Sequence, residues 1–384
     1  MRILLFSNAY LPTTSGVVTS TRLFRKGLIA AGQEVFIAAP EYSDYQDDEP
    51  YIFRFPAVDL SRIIDFSLVI AAKSQMERTI NALKPQVIHS QHPTSMGDLA
   101  QAFASDLNVP LVFTFHTAYD EYAQQFIGIA PDLVGTLVRN RVQKYLNACS
   151  HIIAPTPAVR DRLFQTYEIG APVTVIPTPI DLEQYKNIDP YRAYAKLGLS
   201  DEKLLLYVGR LSPEKNLELL LHAFQLILAQ HPDSRLVLVG KGPAETDLHD
   251  LAQDLGIAGQ VIFTGAVPYQ NVPNYLAAAT LFVFSSLIET QGLVMTEAMA
   301  AGAPVVSVES PHSTEVLRFG GGFMTPNDPS AFAACVIELF NAPNQIQELK
   351  RQARQSAARY DIHHSCANLI EVYNQAVEDF HRAG

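Results

Sequence analysis

The stretch Ser285-Ser-Leu-Ile-Glu289-Thr-Gln-Gly292-Leu-Val-Met-Thr-Glu297-Ala-Met-Ala-Ala-Gly302 sets two carboxylates around a glycine. The apolar run Leu281–Phe284 before it reads as a strand, and a helix is expected from about Gln291. Glu289 then precedes the helix and Glu297 lies about two turns inside it. Between them the helix N-terminus offers free N–H groups near Gly292 and Leu293 and a partial positive charge. This arrangement suits a ligand with a diphosphate in its middle and a sugar at each end. Glu289 would hold the outer sugar and Glu297 would accept from ribose hydroxyls. The plainer alternative is a helix-capping acid next to a surface carboxylate.

Three other places carry chemistry. Tyr207-Val-Gly209 is followed by Arg210-Leu-Ser-Pro-Glu-Lys215-Asn, which brings a guanidinium fork and a point charge to a loop that opens a helix. The two together form an anion clamp, or else are solvated surface charges. Ser212-Pro-Glu-Lys215 also fits the S-x-x-K pattern of penicillin-recognising enzymes, but neither S-D-N nor K-T-G occurs in the chain. His116, at the end of the run Leu111–Phe115, is placed to hydrogen-bond a ligand or to serve as a satisfied structural histidine. Gly16, in Asn8-Ala-Tyr-Leu-Pro-Thr-Thr-Ser-Gly16, precedes a helix as a backbone approach point would, or as a plain turn glycine does. No G-x-G-x-x-G occurs at Gly16 or at Gly240-Lys-Gly242-Pro, which counts against a dinucleotide dehydrogenase.

The elements that must hold these residues form two series. Apolar runs at Ile3–Phe6, Val35–Ala39, Val87–His89, Leu111–Phe115, His151–Ala154 and Val173–Ile176 alternate with amphipathic stretches. A second series follows at Leu204–Val208, Leu236–Val239, Val261–Phe263, Leu281–Phe284 and Pro304–Val308. Helices are expected over Pro213–Gln230, Glu245–Leu255, Val272–Ala279, Leu293–Ala301 and Ser313–Phe319. Runs apolar on both faces, alternating with helices, imply parallel sheets covered on both sides. The expected class is therefore α/β, with two Rossmann-like doubly wound domains. The predicted boundaries are 1–180, 181–360 and 361–384, the last a terminal amphipathic helix whose packing surface is left open, with the first domain one candidate. Pro177-Thr-Pro-Ile-Asp-Leu-Glu-Gln-Tyr185 is the linker candidate.

Composition narrows the partners. The net charge of −11 speaks against nucleic acid as the main partner. Cys149, Cys335 and Cys366 are too far apart for a CxxC metal pair and odd in number, which suits a reducing cytoplasm. No apolar run approaches the roughly 20 residues that span a bilayer. Met1-Arg-Ile-Leu-Leu-Phe-Ser7 reads as a first strand and not as a signal peptide. Residues 1–180 hold 14 cations against 16 acids, so nearly all the negative charge lies in the second half. Within Leu133–Leu146, Leu133, Leu137, Val138, Val142 and Leu146 with Arg139, Arg141 and Lys144 would make a basic amphipathic helix. It would lie on anionic lipid at the inner face of the membrane, or pack on its own domain.

Together these residues resemble the retaining glycosyltransferases of family 4, which have the GT-B fold of two Rossmann-like domains facing across a cleft. The resemblance rests on Ser15-Gly16, Phe113-Thr-Phe-His116-Thr117, Val208-Gly-Arg210 with Glu214-Lys215-Asn216, Leu238-Val-Gly240-Lys-Gly242-Pro243, Phe263-Thr-Gly265, and Glu289 to Glu297, in the family's order. The opening Phe6–Val18, Val87-Ile-His-Ser-Gln-His92-Pro and His116-Thr-Ala-Tyr-Asp-Glu-Tyr122 are similar to bacterial diacylglycerol α-glucosyltransferases. Two departures stand out: Pro179 where relatives commonly have glycine, and Gln124-Gln125-Phe126 where they often carry a His-Tyr pair.

The resemblance implies a hexosyltransferase that moves glucose from UDP-glucose to a lipid hydroxyl such as that of diacylglycerol. A soluble sugar or glycan acceptor is one alternative, a nucleotide-sugar epimerase on the same fold another, and a non-catalytic nucleotide-sugar module a third. The implied catalytic set is His116, Arg210, Lys215 and Glu289. The implied donor-binding set is Gly16, Gly240, Val267, Gly292, Leu293, Val294 and Glu297. The implied acceptor side is Tyr10, Tyr119 and Asp120. The resemblance makes 1–180 the acceptor-side domain and 181–360 the nucleotide-sugar-binding domain; no cofactor beyond the nucleotide-sugar substrate is required, and Mg2+ is possible although no ligand cluster calls for it.

Overall fold

The computed structural model describes residues 1–13, 15–58, 68–69, 73–116 and 131–383. The chain divides into two compact units, Met1–Pro179 together with Ile362–Gly384, and Ile180–Asp361.

The first unit is built on a seven-stranded parallel sheet. Its strands are β1 (Arg2–Phe6), β2 (Glu34–Pro40), β3 (Ile52–Phe55), β6 (Val87–Ser90), β7 (Leu111–Thr114), β8 (His151–Ala154) and β9 (Val173–Val175). A small antiparallel pair, β4 (Ala57–Val58) and β5 (Leu68–Val69), stands apart. Sheet order is β3-β2-β1-β6-β7-β8-β9, so the chain winds one way from β1 and then returns to β6 on the other side. Such a reversal leaves a crevice beyond the carboxyl ends of β1 and β6.

Alternation along β1 sends Leu4 and Phe6 into one core and Ile3 and Leu5 into another, as a strand with a two-residue period must. The Leu4 side is covered by α2 (Lys73–Leu83), α3 (Met96–Leu107), α4 (Pro131–Leu146) and α5 (Pro157–Thr166), through residues such as Met76, Phe103, Tyr145 and Leu163. The Ile3 side is covered by α1 (Gly16–Ala30) and the terminal helix α14 (Ile362–Ala383). Ile362, Cys366, Leu369, Tyr373 and Ala376 make one apolar stripe on α14. A Cβ on Gly27 would overlap the Cys366 Sγ, so that glycine lets the two helices approach.

The second unit repeats the design with β10 (Lys203–Val208), β11 (Ser234–Val239), β12 (Val261–Gly265), β13 (Leu281–Phe284), β14 (Val305–Val308) and β15 (Gly322–Thr325). The order β12-β11-β10-β13-β14-β15 reverses between β10 and β13, with Leu205 opposite Leu281. Its helices are α6 (Pro190–Leu197), α7 (Leu217–Leu228), α8 (Glu245–Asp254), α9 (Val272–Ala278), α10 (Leu293–Ala301), α11 (Pro311–Leu317), α12 (Pro329–Asn341) and α13 (Pro343–Ala357).

Two helix starts differ from the expectations. The helix expected from Pro213 is a 3-10 turn, Pro213–Lys215, followed by Asn216 in the left-handed region (φ 53°) and only then α7. Asparagine tolerates that conformation, so the break takes Lys215 off the helix and into the loop. α11 begins at Pro311 instead of Ser313, while α10 begins at Leu293, as the expected range Leu293–Ala301 has it and two residues after Gln291, capped by Gly292 at φ 69°. Glu297 is therefore about one turn inside the helix, not two.

The basic amphipathic reading of α4 also changes. The side chains of 131–134, Leu133 included, lie outside the described ones. Val142, Tyr145 and Leu146 are buried in the domain's own core, and Arg141 pairs with Asp98. Leu137 remains exposed beside Arg139 and Lys144. The apolar stripe is thus largely committed to the fold. Among the described residues no helix is long and apolar enough to cross a membrane.

Candidate active site

In the second unit the reversal between β10 and β13 aims two loops at one place. Leaving β10, Gly209 donates to Val239 O (2.9 Å) and Leu211 to Lys241 O (3.0 Å), while the Tyr207 hydroxyl donates to Arg210 O (3.0 Å). These bonds lay the Arg210 loop against the loop after β11. Gly240 serves that packing, since a Cβ there would overlap the Gly209 carbonyl. The sequence treats Gly240 as a donor contact; what the structure shows for it is support of the cation loop from beneath.

Lys215 is held at both ends. Its carbonyl accepts from Ser285 Oγ (2.7 Å), at the exit of β13, and its Nζ donates to Glu289 Oε1 (2.6 Å). The pair is about one-fifth exposed, at 17% and 24%, so it can meet a ligand yet is partly shielded from water. A cation and a carboxylate that are far apart in sequence thus converge at the mouth of α10. Gly292 caps that helix without a side-chain hydrogen bond to its first N–H groups, and Leu293 and Val294 form its first turn. Such a mouth attracts anions.

His312, which the sequence reading passes over, steadies the same loop. Its Nε2 lies 3.2 Å from Ser286 O and 2.9 Å from Ser310 Oγ. A carbonyl only accepts, so Nε2 carries the proton. The ring packs edge-on against Phe284, and burial holds its pKa below the usual value. Only its following the strand Val305–Val308 marks it in the sequence.

Glu297 is 6% exposed and accepts from the Tyr269 hydroxyl at 2.9 Å. Burial raises its carboxyl to about 7. Val267 is half-buried in the loop after β12.

In the first unit, the crevice between β1 and β6 is lined by polar side chains. Asn8 links its two sides: its backbone N–H donates to His92 Nδ1 (3.1 Å), its Nδ2 to Thr94 O (3.2 Å), and its Oδ1 accepts from Met96 N (2.9 Å). Ser15 caps α1 by accepting from Val18 N (3.3 Å). A Cβ on Gly16 would meet nothing within 4 Å, and its φ is not in the left-handed region. Neither backbone strain nor crowding in this structure requires glycine there, which leaves room for something to approach.

His116 follows β7, its Nε2 2.7 Å from Gln91 Oε1. An amide oxygen only accepts, so Nε2 holds the proton and Nδ1 is the ring's acceptor. Burial lowers its pKa to about 4, so at neutral pH the ring is uncharged. It suits a sugar hydroxyl better than it suits donation of positive charge.

Of the expected acceptor-side residues, Tyr119 and Asp120 lie outside the described residues. Tyr10 is a correction: its side chain is 0% exposed, packed in the Ile3 core. Tyr10 lies in the loop beyond β1, where its ring turns inward under Arg54. The Arg54 guanidinium lies 5.6 Å from its ring centre and donates to Leu11 O (2.7 Å) and to Pro40 O (2.8 Å), with Asp47 bound through both oxygens. Arg54 thus fastens the loop that leads to Gly16. Among the described residues no group of three or more His, Cys, Asp or Glu is placed to hold a metal ion.

Residues 14–184 match the family model Glycosyltransferase Family 4, and residues 193–356 match Glycosyl transferases group 1. The alpha-monoglucosyldiacylglycerol synthase of Streptococcus pneumoniae R6 is 32% identical over 363 residues, covering 91% of this chain and 80% of that protein. The chain belongs to the family 4 glycosyltransferases. D-inositol 3-phosphate glycosyltransferase 2 of Catenulispora acidiphila is 31% identical over 76% of this chain and 71% of its own.

Among solved structures, sucrose-phosphate synthase of Thermosynechococcus elongatus superposes with a TM-score of 0.78 at 20% identity, over 97% of this chain and 98% of that one. The Anabaena Alr3699/HepE protein in complex with UDP gives 0.76 at 18% identity, over 98% and 100%. These likenesses give the fold: two Rossmann-like domains of GT-B type. In this family 4 glycosyltransferase, Lys215 and Glu289 are paired just ahead of the N-terminus of α10.

Proposed function

We propose that this family 4 glycosyltransferase moves glucose from UDP-glucose to a diacylglycerol hydroxyl with retention at the anomeric carbon. The observation that carries the reading is the Lys215–Glu289 pair at the mouth of α10. As the bond between the anomeric carbon and the β-phosphate oxygen breaks, negative charge builds on that oxygen. Lys215, Arg210 and the N–H groups of Gly292, Leu293 and Val294 would stabilise it. Glu289 would take hydroxyls of the glucose, and Glu297 those of the ribose, beside a base near Val267. His116, uncharged, would accept from a glucose hydroxyl through Nδ1.

The acceptor oxygen attacks the same face that the phosphate leaves. Its proton passes to the departing phosphate oxygen, so that UDP and the α-glucoside are the products. This route asks no carboxylate to act as a nucleophile.

The lipid acceptor is supported by the identity of 32% to the pneumococcal relative. Contact with a membrane surface would then be peripheral and cytoplasmic, with Leu137, Arg139 and Lys144 among the exposed residues of α4. The inositol-phosphate relative favours a second reading, a soluble polyol phosphate acceptor.

Both readings are tested by UDP release from UDP-glucose with diacylglycerol vesicles, with inositol 3-phosphate, and with neither. Release that depends on the vesicles, with an α-anomeric proton in the lipid product by NMR, is expected. Release driven by the inositol phosphate alone would move the acceptor to the second reading. A β-anomeric product would overturn retention.

A further inference from the structure

Glu297 has a neighbour that its ribose role does not use. Tyr269 opens the 3-10 turn Tyr269–Asn271 after β12, and its hydroxyl donates to Glu297 Oε1 at 2.9 Å. We propose that Tyr269 is a positioning residue of the nucleotide site: it fixes the Glu297 carboxylate through Oε1 so that Oε2 is presented to the ribose diol. The proposal rests on the donor reading above.

The chemistry follows from counting lone pairs. An ionised carboxylate has two oxygens with roughly four acceptor positions. Tyr269 occupies one, and two ribose hydroxyls can take others without displacing it. A protonated carboxyl would instead place an O–H where the diol must donate. Glu297 is exposed to that failure, because burial pushes its carboxyl up to about 7 and the Tyr269 bond is the influence that opposes the rise.

The other groups around α10 do not replace that bond. Tyr185 and Asp181, from the segment that precedes α6, are a neutral phenol and an acid, and Glu297 pushes the Tyr185 phenol further up. Tyr275 of α9 is buried and shifted by burial alone. β13 and β14 carry no titratable side chain. On α13, Arg354 lies over Gly302 at the far end of α10, beside Lys350.

The test is calorimetric binding of UDP and of 2′-deoxy-UDP between pH 6 and 9, for wild type, Tyr269→Phe and Glu297→Gln. Both nucleotides share the diphosphate, so their affinity ratio cancels its titration. In wild type the preference for UDP should rise as pH passes through about 7. In Tyr269→Phe that rise should move to higher pH, with UDP at least about fivefold weaker at pH 6.5 and close to wild type at pH 9. Glu297→Gln should show no pH-dependent preference.

A Tyr269→Phe protein with wild-type affinities throughout overturns the proposal. So does one weakened equally for both nucleotides at every pH, which is what a merely structural tyrosine would give. If the variant fails to fold, a pH-independent preference in wild type is enough to overturn it. Wild-type protein that binds no UDP overturns the donor reading itself.

Discussion

Lys215→Ala is expected to lower turnover by at least about two orders of magnitude, the loss typical when a fixed charge is removed from a developing oxyanion. The fold should stay intact with a modest loss of thermal stability, because the Lys215–Glu289 pair is mostly shielded and its removal leaves Glu289 without that partner. Arg210→Ala should lose a similar factor. Lys215→Ala also frees Glu289 to repel the diphosphate, so part of its loss is repulsion. Glu289→Gln on the Lys215→Ala background should therefore recover some donor binding, and the two changes should be non-additive. Initial rates of UDP release for wild type, Lys215→Ala, Glu289→Gln, their double variant and Arg210→Ala check this. Turnover of Lys215→Ala within about threefold of wild type would remove the lysine from the mechanism.

The second large effect is on stability in acid. Three histidines line the switch-point crevice of the first unit or lie directly under it. His89 sits between Tyr373 Oη (2.7 Å) and Thr114 Oγ1 (2.8 Å), His92 accepts from Asn8, and His116 bonds Gln91. Burial lowers all three, to about 3 for His89 and His92 and about 4 for His116.

A histidine whose folded pKa lies below its unfolded value binds a proton only after unfolding. Stability is therefore full above about pH 6.5 and is lost as pH falls from there toward the folded values. Each such group contributes up to about 1.4 kcal/mol per pH unit, so the three together reach roughly 4 kcal/mol per unit. Glu297, raised to about 7, works in the opposite sense. It keeps a proton that the unfolded chain releases above about pH 4.5, so it offsets one of the three where both units unfold together. Urea midpoints at pH 7 and 5, followed by a probe in the first unit, should show a marked fall at pH 5. His116→Asn should reduce that slope by about 1.4 kcal/mol per pH unit. Equal midpoints would show that the histidines are not held neutral.

Much of this architecture is written locally. The six expected strands of the first sheet and the five of the second are continuous apolar runs, and a parallel sheet covered on both faces needs such runs. The misses arise where tertiary contacts decide. β15 opens on Gly322 directly after Gly320-Gly321, a poor strand signal. Those glycines are there because a Cβ on Gly321 would overlap the Ala353 backbone, and one on Gly322 the Val305 carbonyl. β3 hides behind an acidic, turn-rich segment, and its Arg54 is a polar residue facing inward to hold another loop.

The site shows the same division. Glu289, Lys215 and Gly292 stand out because each follows a strand at the point where sheet order reverses. Tyr269 and His312 do not, because nothing in their neighbours says that their polar atoms turn toward Glu297 and Ser286. Tyr10 stands in a loop yet is buried, since its orientation is set by packing under Arg54. The depth of Glu297 in α10 depended on where a left-handed glycine would start the helix.

The claim at the centre is that the mouth of α10, with Lys215 and Arg210, grips the diphosphate of an activated sugar. Calorimetric titration of wild-type protein with UDP-glucose, UDP, UMP and uridine tests it most directly. Affinity should be greatest for the two diphosphates, fall by about tenfold or more on loss of the β-phosphate, and fall again for uridine, with the diphosphate advantage reduced in Lys215→Ala. Uridine binding as tightly as UDP, or an undiminished diphosphate advantage in Lys215→Ala, would contradict the account.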